Sequence, residues 1–315
     1  MQPLAITGGT GFLGRHLLLE CIRQSRFRIS VLTRNLNRLD FISGFANPNV
    51  EVCTGDLLNC ASLEGFLKPS CTLIHLAFIG GSRDQNIQAT VNIIEMAKRA
   101  RIKRLVHCST AVVVGSTKDI LITEHTPPKP ETDYQKTKFE IEELLRSELK
   151  GRIELAILRP TEIIGPDGQG LNRMIERLRH GSKLRNVLYH CILRERRFNF
   201  VSVHNVVSAL MLLALISAPL NNEIYILSDD DDEENGYTAI ESIINNHLGR
   251  KSAHALNFGI PQGLLSFLFK FRPGKPNPKR IYSHSKIKAI GYERVVNLRS
   301  AISEMMTDQS SKNYS

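Results

Sequence analysis

Tyr134 and Lys138 stand four residues apart in the run DYQKTKFEIEELL, a helical pattern that sets both side chains on one face. A phenol with a pKa near ~10 is a poor proton shuttle at neutral pH, but a neighbouring ammonium stabilises the phenolate and lowers that value. The pair is a candidate acid/base, with Lys138 also placed to bond a nicotinamide ribose. The spacing alone is weak, because any amphipathic helix can carry both residues on a solvated face. Two features strengthen it. The β-rich run RLVHC ends at Ser109-Thr110, so the Thr110 hydroxyl would sit at the carboxyl edge of a sheet, where doubly wound folds bind ligands, and could hold a substrate oxygen. Pro130, four residues before Tyr134, marks a new helix start.

A second constellation is glycine-rich. Residues 4–7 read as a strand that runs into Gly8-Gly9-Thr10-Gly11-Phe12-Leu13-Gly14, where a helical pattern opens. Gly8 permits the tight turn, Gly11 lets a pyrophosphate approach the backbone, and Gly14 lets the helix pack on the sheet, with the helix N-terminal amides facing the anion. The second strand ends at Thr33-Arg34-Asn35, where an NAD-binding fold usually carries an acid on the ribose 2′-hydroxyl. Arg34, helped by Arg38, suits a 2′-phosphate instead, so NADP(H) is favoured and NAD(H) stays possible. Gly55-Asp56-Leu57 closes the third strand. Asp56 is placed there to accept from an adenine amino group, a plain Asx turn being the alternative.

These residues need a scaffold, and the first half supplies one by alternating short β-rich runs with helical patterns. That order predicts an α/β Rossmann-type doubly wound parallel sheet, because parallel strands need crossovers and both sheet faces must be covered. Residues 1–166 are assigned to the dinucleotide-binding domain, with the sheet completed by segments near 198–228. Residues 167–315 form mainly a smaller C-terminal substrate-binding lobe. The Pro-rich piece at 272–280 reads as a loop and the last residues as a polar tail.

Bulk properties narrow the class. The chain has 315 residues, 42% of them hydrophobic, enough for one large core or a core plus a smaller lobe. Six scattered cysteines without a CxxC pair or nearby His at ligand spacing predict neither disulfides nor a metal site, and fit a reducing, cytoplasmic setting. The first residues enter a strand at once, so no export leader is expected. The longest apolar run, 206–220, falls short of the roughly 20 residues of a membrane span and reads as a buried helix. The formal charge of +10 is spread along the chain rather than interleaved with aromatics, so a small anionic substrate explains it better than nucleic acid. A solvated basic surface without function explains it equally well.

In the order of its motifs the chain resembles the extended short-chain dehydrogenase/reductases, the NAD-dependent epimerase/dehydratase family that also takes in 3β-hydroxysteroid dehydrogenases. TGGTGFLG, GDL at Gly55, HLA at His75, CSTAVVVG at Cys108, PETDYQKTK at Pro130, LRPTEIIGP at Leu158 and FVSVHNVV at Phe200 fit seven family blocks in sequence. The resemblance implies that Thr110, Tyr134 and Lys138 form the catalytic triad. It also implies that Gly8, Gly11, Phe12 and Leu13 line the diphosphate, Asp56 with Leu57 the adenine, Leu76 and Ala77 the adenosine side, and Arg159, Pro160 and Thr161 the nicotinamide pocket. His75 is a structural member of its strand. A homodimer through the helices carrying Glu95 and Tyr134 is what the family suggests.

Departures from the family pattern restrict the chemistry. Val114 stands where the family often has tyrosine, changing one wall of the expected site. Ala111-Val112 replaces the Asp-Glu pair of sugar 4,6-dehydratases, which disfavours dehydration because no acid/base pair remains to remove a hydroxyl. Asn205, where nucleotide-sugar members commonly carry Asp, leans towards the hydroxysteroid branch. The reading favoured is NADPH-dependent reduction of a keto group on a nucleotide-linked sugar, with Arg173 and Arg197, and more weakly Arg177 and Arg196, as grips for the diphosphate. A 4-epimerase holding NAD, a steroid- or flavonoid-type dehydrogenase suggested by the apolar piece at 264–271, and a catalytically silent NADP sensor are the alternatives. The intact Thr110, Tyr134 and Lys138 count against the sensor.

Overall fold

Strand residues that are buried on both faces can only sit in a sheet covered from above and below, and the computed structural model has that form. It describes residues 1–42, 48–250 and 279–312. Along the first half run β1 (Gln2–Thr7), α1 (Phe12–Gln24), β2 (Phe27–Thr33), β3 (Val50–Thr54), β4 (Thr72–His75), α2 (Arg83–Ala100) and β5 (Arg104–Cys108). Then come β6 (Leu121–Ile122), α3 (Asp133–Leu149), β7 (Glu154–Pro160), β8 (Glu162–Ile164), α4 (Asn172–His180) and α5 (Lys183–Leu193). β9 (Phe200–Ser202), α6 (Val203–Leu215), β10 (Asn221–Leu227), α7 (Tyr237–His247), β11 (Ile281–Tyr282), α8 (Ser285–Ala289) and α9 (Leu298–Lys312) complete the order.

Seven strands form one sheet in the order β10-β7-β5-β4-β1-β2-β3, and every pairing is parallel. β5 is buried at all five positions. Leu17, Leu18 and Cys21 of α1 pack with Val206, Leu210 and Leu213 of α6 on one face. Ile93 and Ala97 of α2 pack with Ile141 and Leu145 of α3 on the other. The strand order reverses at β1, between β2 and β4, which is where a doubly wound sheet opens a crevice at its carboxyl edge. A third core joins α4, α7 and α9 around Phe200.

One sequence expectation is revised: residues 198–204 are expected to return to the main sheet, but β9 pairs in parallel with β8 as a separate two-stranded sheet, and it is β10 on β7 that completes the main one. The acidic run 229–234 is buried at its start. Asp229 and Asp230 are buried, where Asp229 accepts from the Ser202 amide at 3.0 Å and Asp230 from the Asn199 amide at 2.7 Å and the Tyr282 backbone at 2.7 Å. Burial raises the Asp230 carboxyl to about 6 against these hydrogen bonds. The apolar run 206–220 falls mostly within α6 as a buried helix, and no helix among the described residues is long and apolar enough to cross a membrane. The apolar piece 264–271 and most of the Pro-rich piece 272–280 lie outside the described residues.

Arg104 shows how α6 is tied to the sheet. Its guanidinium is buried at the amino end of β5 and donates to Glu154 at 2.7 Å and to the carbonyls of Leu213, Ile216 and Ala218 at 3.0, 2.8 and 3.2 Å. These are carbonyls at and just past the end of α6, which have no intrahelical donor. Arg104→Met is expected to cost about 3 kcal/mol, since it leaves buried carbonyls and Glu154 without their cation. Urea unfolding should show the midpoint falling with an unchanged slope.

Candidate active site

The phosphate turn is built as its residue types require. Gly8 has φ +74°, and a Cβ there would lie 2.7 Å from the Ala77 amide nitrogen, so only glycine lets β1 and the loop after β4 approach this closely. At Gly14 a Cβ would stand 2.0 Å from the Gly8 carbonyl, which is how the helix closes onto the turn. α1 begins after Gly11 with no side chain capping its first amides. Those donors point out of the helix end, where an anion is stabilised.

A cleft of about 370 Å³ opens along this turn. Gly8, Gly11, Asp56, Leu57, Leu76 and Ala77 line it, together with Arg34 and Arg38 beyond the end of β2. Thr10, Thr33 and Ile79 line it as well and were not singled out from sequence. Asp56 makes the Asx turn, its Oδ1 accepting from the Leu58 amide at 3.0 Å. Phe12 and Leu13 do not line the cleft. The Phe12 ring stands edge-on to His16 at 5.4 Å, and Leu13 packs on the core, because the first turn of α1 rotates both away from the glycine turn.

Past Phe78, which also lines the cleft, α3 starts with a capping box. Thr132 accepts from the Gln135 amide, and the Gln135 side chain accepts from the Thr132 amide. The helix then presents Tyr134, Lys138 and Glu142 at four-residue spacing towards the carboxyl ends of β5 and β7. Tyr134 is partly exposed, and its ring meets Phe78 edge-on at 5.3 Å. Lys138 is buried, donates to the Cys108 carbonyl at 3.2 Å, and holds its ammonium 4.7 Å from the centre of the Phe78 ring. Thr110 accepts from the Val112 amide at 3.4 Å, which fixes the short helical turn of Ala111–Val114.

The protonation of the pair differs from the sequence expectation. Desolvation raises the Tyr134 pKa, Cys108 adds to the rise, and the Thr110 side chain opposes it. Lys138 is itself lowered, first by burial, with Cys108 and Glu142 opposing. The expected depression of the phenol by Lys138 is therefore not a property of this arrangement, in which the ammonium is turned onto a carbonyl and an aromatic face.

Glu142 is the residue that sequence reading missed. It is fully buried, accepts from Arg159 Nε at 3.0 and 3.1 Å and from its Nη2 at 2.5 Å, and receives the Ser109 hydroxyl. Its signal was present as an acid eight residues after Tyr134, on the face that carries Tyr134 and Lys138. Phe78 was missed too, directly after the HLA block at His75. His75 is structural as expected, its Nδ1 2.6 Å from the Thr7 hydroxyl and its pKa lowered by burial to about 3. Pro160 and Thr161 are buried at the end of β7, and the Thr161 hydroxyl has no hydrogen-bond partner among the described residues.

The remaining candidates fall elsewhere. Val114 is fully buried in a cluster with Ile122, Ile226 and Tyr282 and walls no open site. Arg197 donates to the Asp230 carbonyl at 2.8 Å, Arg177 donates to Tyr237 at 2.8 Å, and Arg196 lies over the Phe198 ring. Arg173 is exposed on α4. No group of His, Cys, Asp and Glu among the described residues could hold a metal ion.

Comparisons agree with this geometry. The model of the NAD dependent epimerase/dehydratase family matches residues 4–227. A sterol-4-alpha-carboxylate 3-dehydrogenase, decarboxylating, of Candida albicans is 27% identical over 68% of this chain and 65% of its own length. The Mus musculus enzyme of that name is 30% identical over 68% and 59%. UDP-glucose 4-epimerase 2 of Oryza sativa is 30% identical over 46% and 40%. The chain thus spans less than two thirds of the length of these relatives. Among solved structures, UDP-glucuronic acid 4-epimerase from Bacillus cereus with UDP-glucuronic acid and NAD superposes with a TM-score of 0.73 at 18% identity, covering 99% of this chain and 100% of the other. WbmG of Bordetella bronchiseptica with NAD and UDP gives 0.73 at 18%, covering 98% and 95%.

The Glu142–Arg159 pair makes a stability prediction. Glu142→Leu is expected to cost about 3–5 kcal/mol by leaving a buried guanidinium unpaired, and Arg159→Leu a similar amount. The double variant should lose less than the sum of the two in urea unfolding, because neither charge then stands alone.

Proposed function

Because the chain belongs to the NAD dependent epimerase/dehydratase family, we propose that it is an NADP(H)-dependent oxidoreductase that interconverts a ketone and a secondary alcohol, with Tyr134 as the acid/base. The observation that carries this is the packing of Tyr134 and the buried Lys138 against Phe78, a residue that lines the same cleft as Arg34 and Arg38.

The residues present fit a dinucleotide. The glycine turn excludes side chains where a pyrophosphate would lie, α1 leaves its first amides uncapped, and the Thr161 hydroxyl is buried without a partner among the described residues. Gly8 and Gly11 would hold the diphosphate, Asp56 and Leu57 the adenine, and Arg34 with Arg38 the 2′-phosphate. Leu76 and Ala77 would flank the adenosine, while Pro160 and Thr161 would border the nicotinamide. NADP(H) supplies or accepts the hydride. Thr110 orients the substrate oxygen, and the Tyr134 hydroxyl gives it a proton in reduction or takes one in oxidation. Lys138 is one turn further on, where a sugar hydroxyl could replace the Cys108 carbonyl as its partner and bring positive charge towards the phenol. Ketone reduction is the favoured direction, and the absence of a carboxylate after Thr110 speaks against dehydration.

The substrate proposed is a keto sugar linked to a nucleotide, with Arg173 as an exposed cation for its diphosphate. Arg177, Arg196 and Arg197 are already engaged within the lobe, which weakens the basic grip expected from the sequence. A sterol-class ketone is the second reading, supported by relatives matched over two thirds of the chain.

NADP(H) should protect the protein against thermal unfolding more than NAD(H), and Arg34→Ala with Arg38→Ala should abolish the difference. Equal or greater protection by NAD(H) in the parent protein overturns the cofactor assignment. Tyr134→Phe should lower turnover of NADPH-dependent ketones by roughly 10²–10⁴ with little change in cofactor binding. A panel of nucleotide-linked keto sugars and sterol ketones separates the two substrate readings.

A further inference from the structure

α5 is alone among the described helices in having no buried residue, although most of its eleven residues are apolar. Its inner side is accounted for. Tyr189 lies under the Arg177 guanidinium at 4.3 Å, and His190 Nδ1 meets Glu241 of α7 at 2.5 Å. The other side faces water. Leu184 is 81% exposed and Leu188, one turn on, 48% exposed. At 100° per residue, the half-buried Val187 and Ile192 fall beside them, so the outward side of the described helix is aliphatic around the two leucines. Lys183 and Arg185, both exposed, border that stripe on opposite sides, and the exposed Arg194 and Arg196 follow its end. Glu195 between them is paired with Lys279 at 3.3 Å.

We propose that this face of α5 docks the protein onto an anionic phospholipid bilayer, Leu184 and Leu188 entering the acyl boundary while Lys183, Arg185 and Arg194 meet the headgroups. Apolar insertion joined to a cationic rim is the combination that holds a helix in a membrane interface, each part being weak alone. A second copy is the poorer occupant, since a two-fold contact sets the same patch against itself and would bring this single-sign rim against its own cations. A protein partner usually asks for an aromatic-rich patch centre, and the centre here is leucine. The inference rests on α5 and its flanks and is independent of the substrate assigned above.

The test is co-sedimentation of the full chain with vesicles of phosphatidylcholine alone or with about a third phosphatidylserine. Binding to the anionic vesicles, weakened by salt, is expected. Leu184→Glu with Leu188→Glu should reduce it about tenfold or more, and Lys183→Gln with Arg185→Gln should flatten its salt dependence. Both variants should keep the parent's thermal midpoint and its cofactor protection, which separates lost docking from lost folding. The proposal is overturned if the parent protein sediments with neither vesicle, or if the leucine variant sediments as the parent does. It is equally overturned if a dimer forms in solution and dissociates in the leucine variant, or if residues 183–193 resist hydrogen exchange in the vesicle-free monomer as strongly as α7 does.

Discussion

An ion pair without access to water, Glu142 to Arg159, is the contact on which the placement of Tyr134 and Lys138 depends. A parallel sheet offers chemistry only at the carboxyl ends of its strands, and a helix lying across that edge can rotate about its own axis unless something polar fixes it. Hydrophobic packing of Ile141 and Leu145 tolerates such rotation better than a forked guanidinium does. With Glu142 held by Arg159 of β7 and Ser109 beyond β5, the residues one and two turns earlier have their direction set. Lys138 then falls inside and Tyr134 at the cleft. Desolvating two charges is costly, so the value of the pair lies in orientation more than in net stability.

The glycine turn and the inner face of α3 are held by different physics. At the turn the constraint is steric: Gly8 and Gly14 remove atoms so that β1, α1 and the Ala77 loop can converge. At α3 it is polar, through the Cys108 carbonyl on Lys138 and the buried carboxylate of Glu142. Only the first can be seen in a string of residue types with assurance, because a missing Cβ has one meaning in a strand-turn-helix context, whereas a buried acid has many.

That difference explains what was legible. Alternation of β-rich and helical runs was enough for the parallel sheet, and the spacing of Tyr134, Lys138 and Pro130 placed α3 and its entry. β9 was misplaced because a three-residue strand carries no sign of its partner; Phe200 to Ser202 satisfy β8 as well as they would a seventh neighbour. Val114 looked like a site wall by its motif position, yet Gly115 at φ +63° turns the backbone after it and leaves the valine inside a cluster with Ile226. Arg177 and Arg197 looked free in a basic stretch because their partners, Tyr237 and the Asp230 carbonyl, are more than thirty residues away. Contacts of that range depend on the assembled lobe and leave no local trace.

Lys138 joins these threads. Its ammonium has three donors, and in this structure one meets the Cys108 carbonyl while the Phe78 face takes part of the charge. Burial already favours the neutral amine, so every further acceptor brought to it restores the charged form. A dinucleotide seated on the glycine turn would carry sugar hydroxyls towards this end of the cleft. Acceptors brought there would favour the ammonium of Lys138 against the desolvation that lowers its pKa, and would set that charge one helical turn from the Tyr134 phenol, whose pKa burial raises.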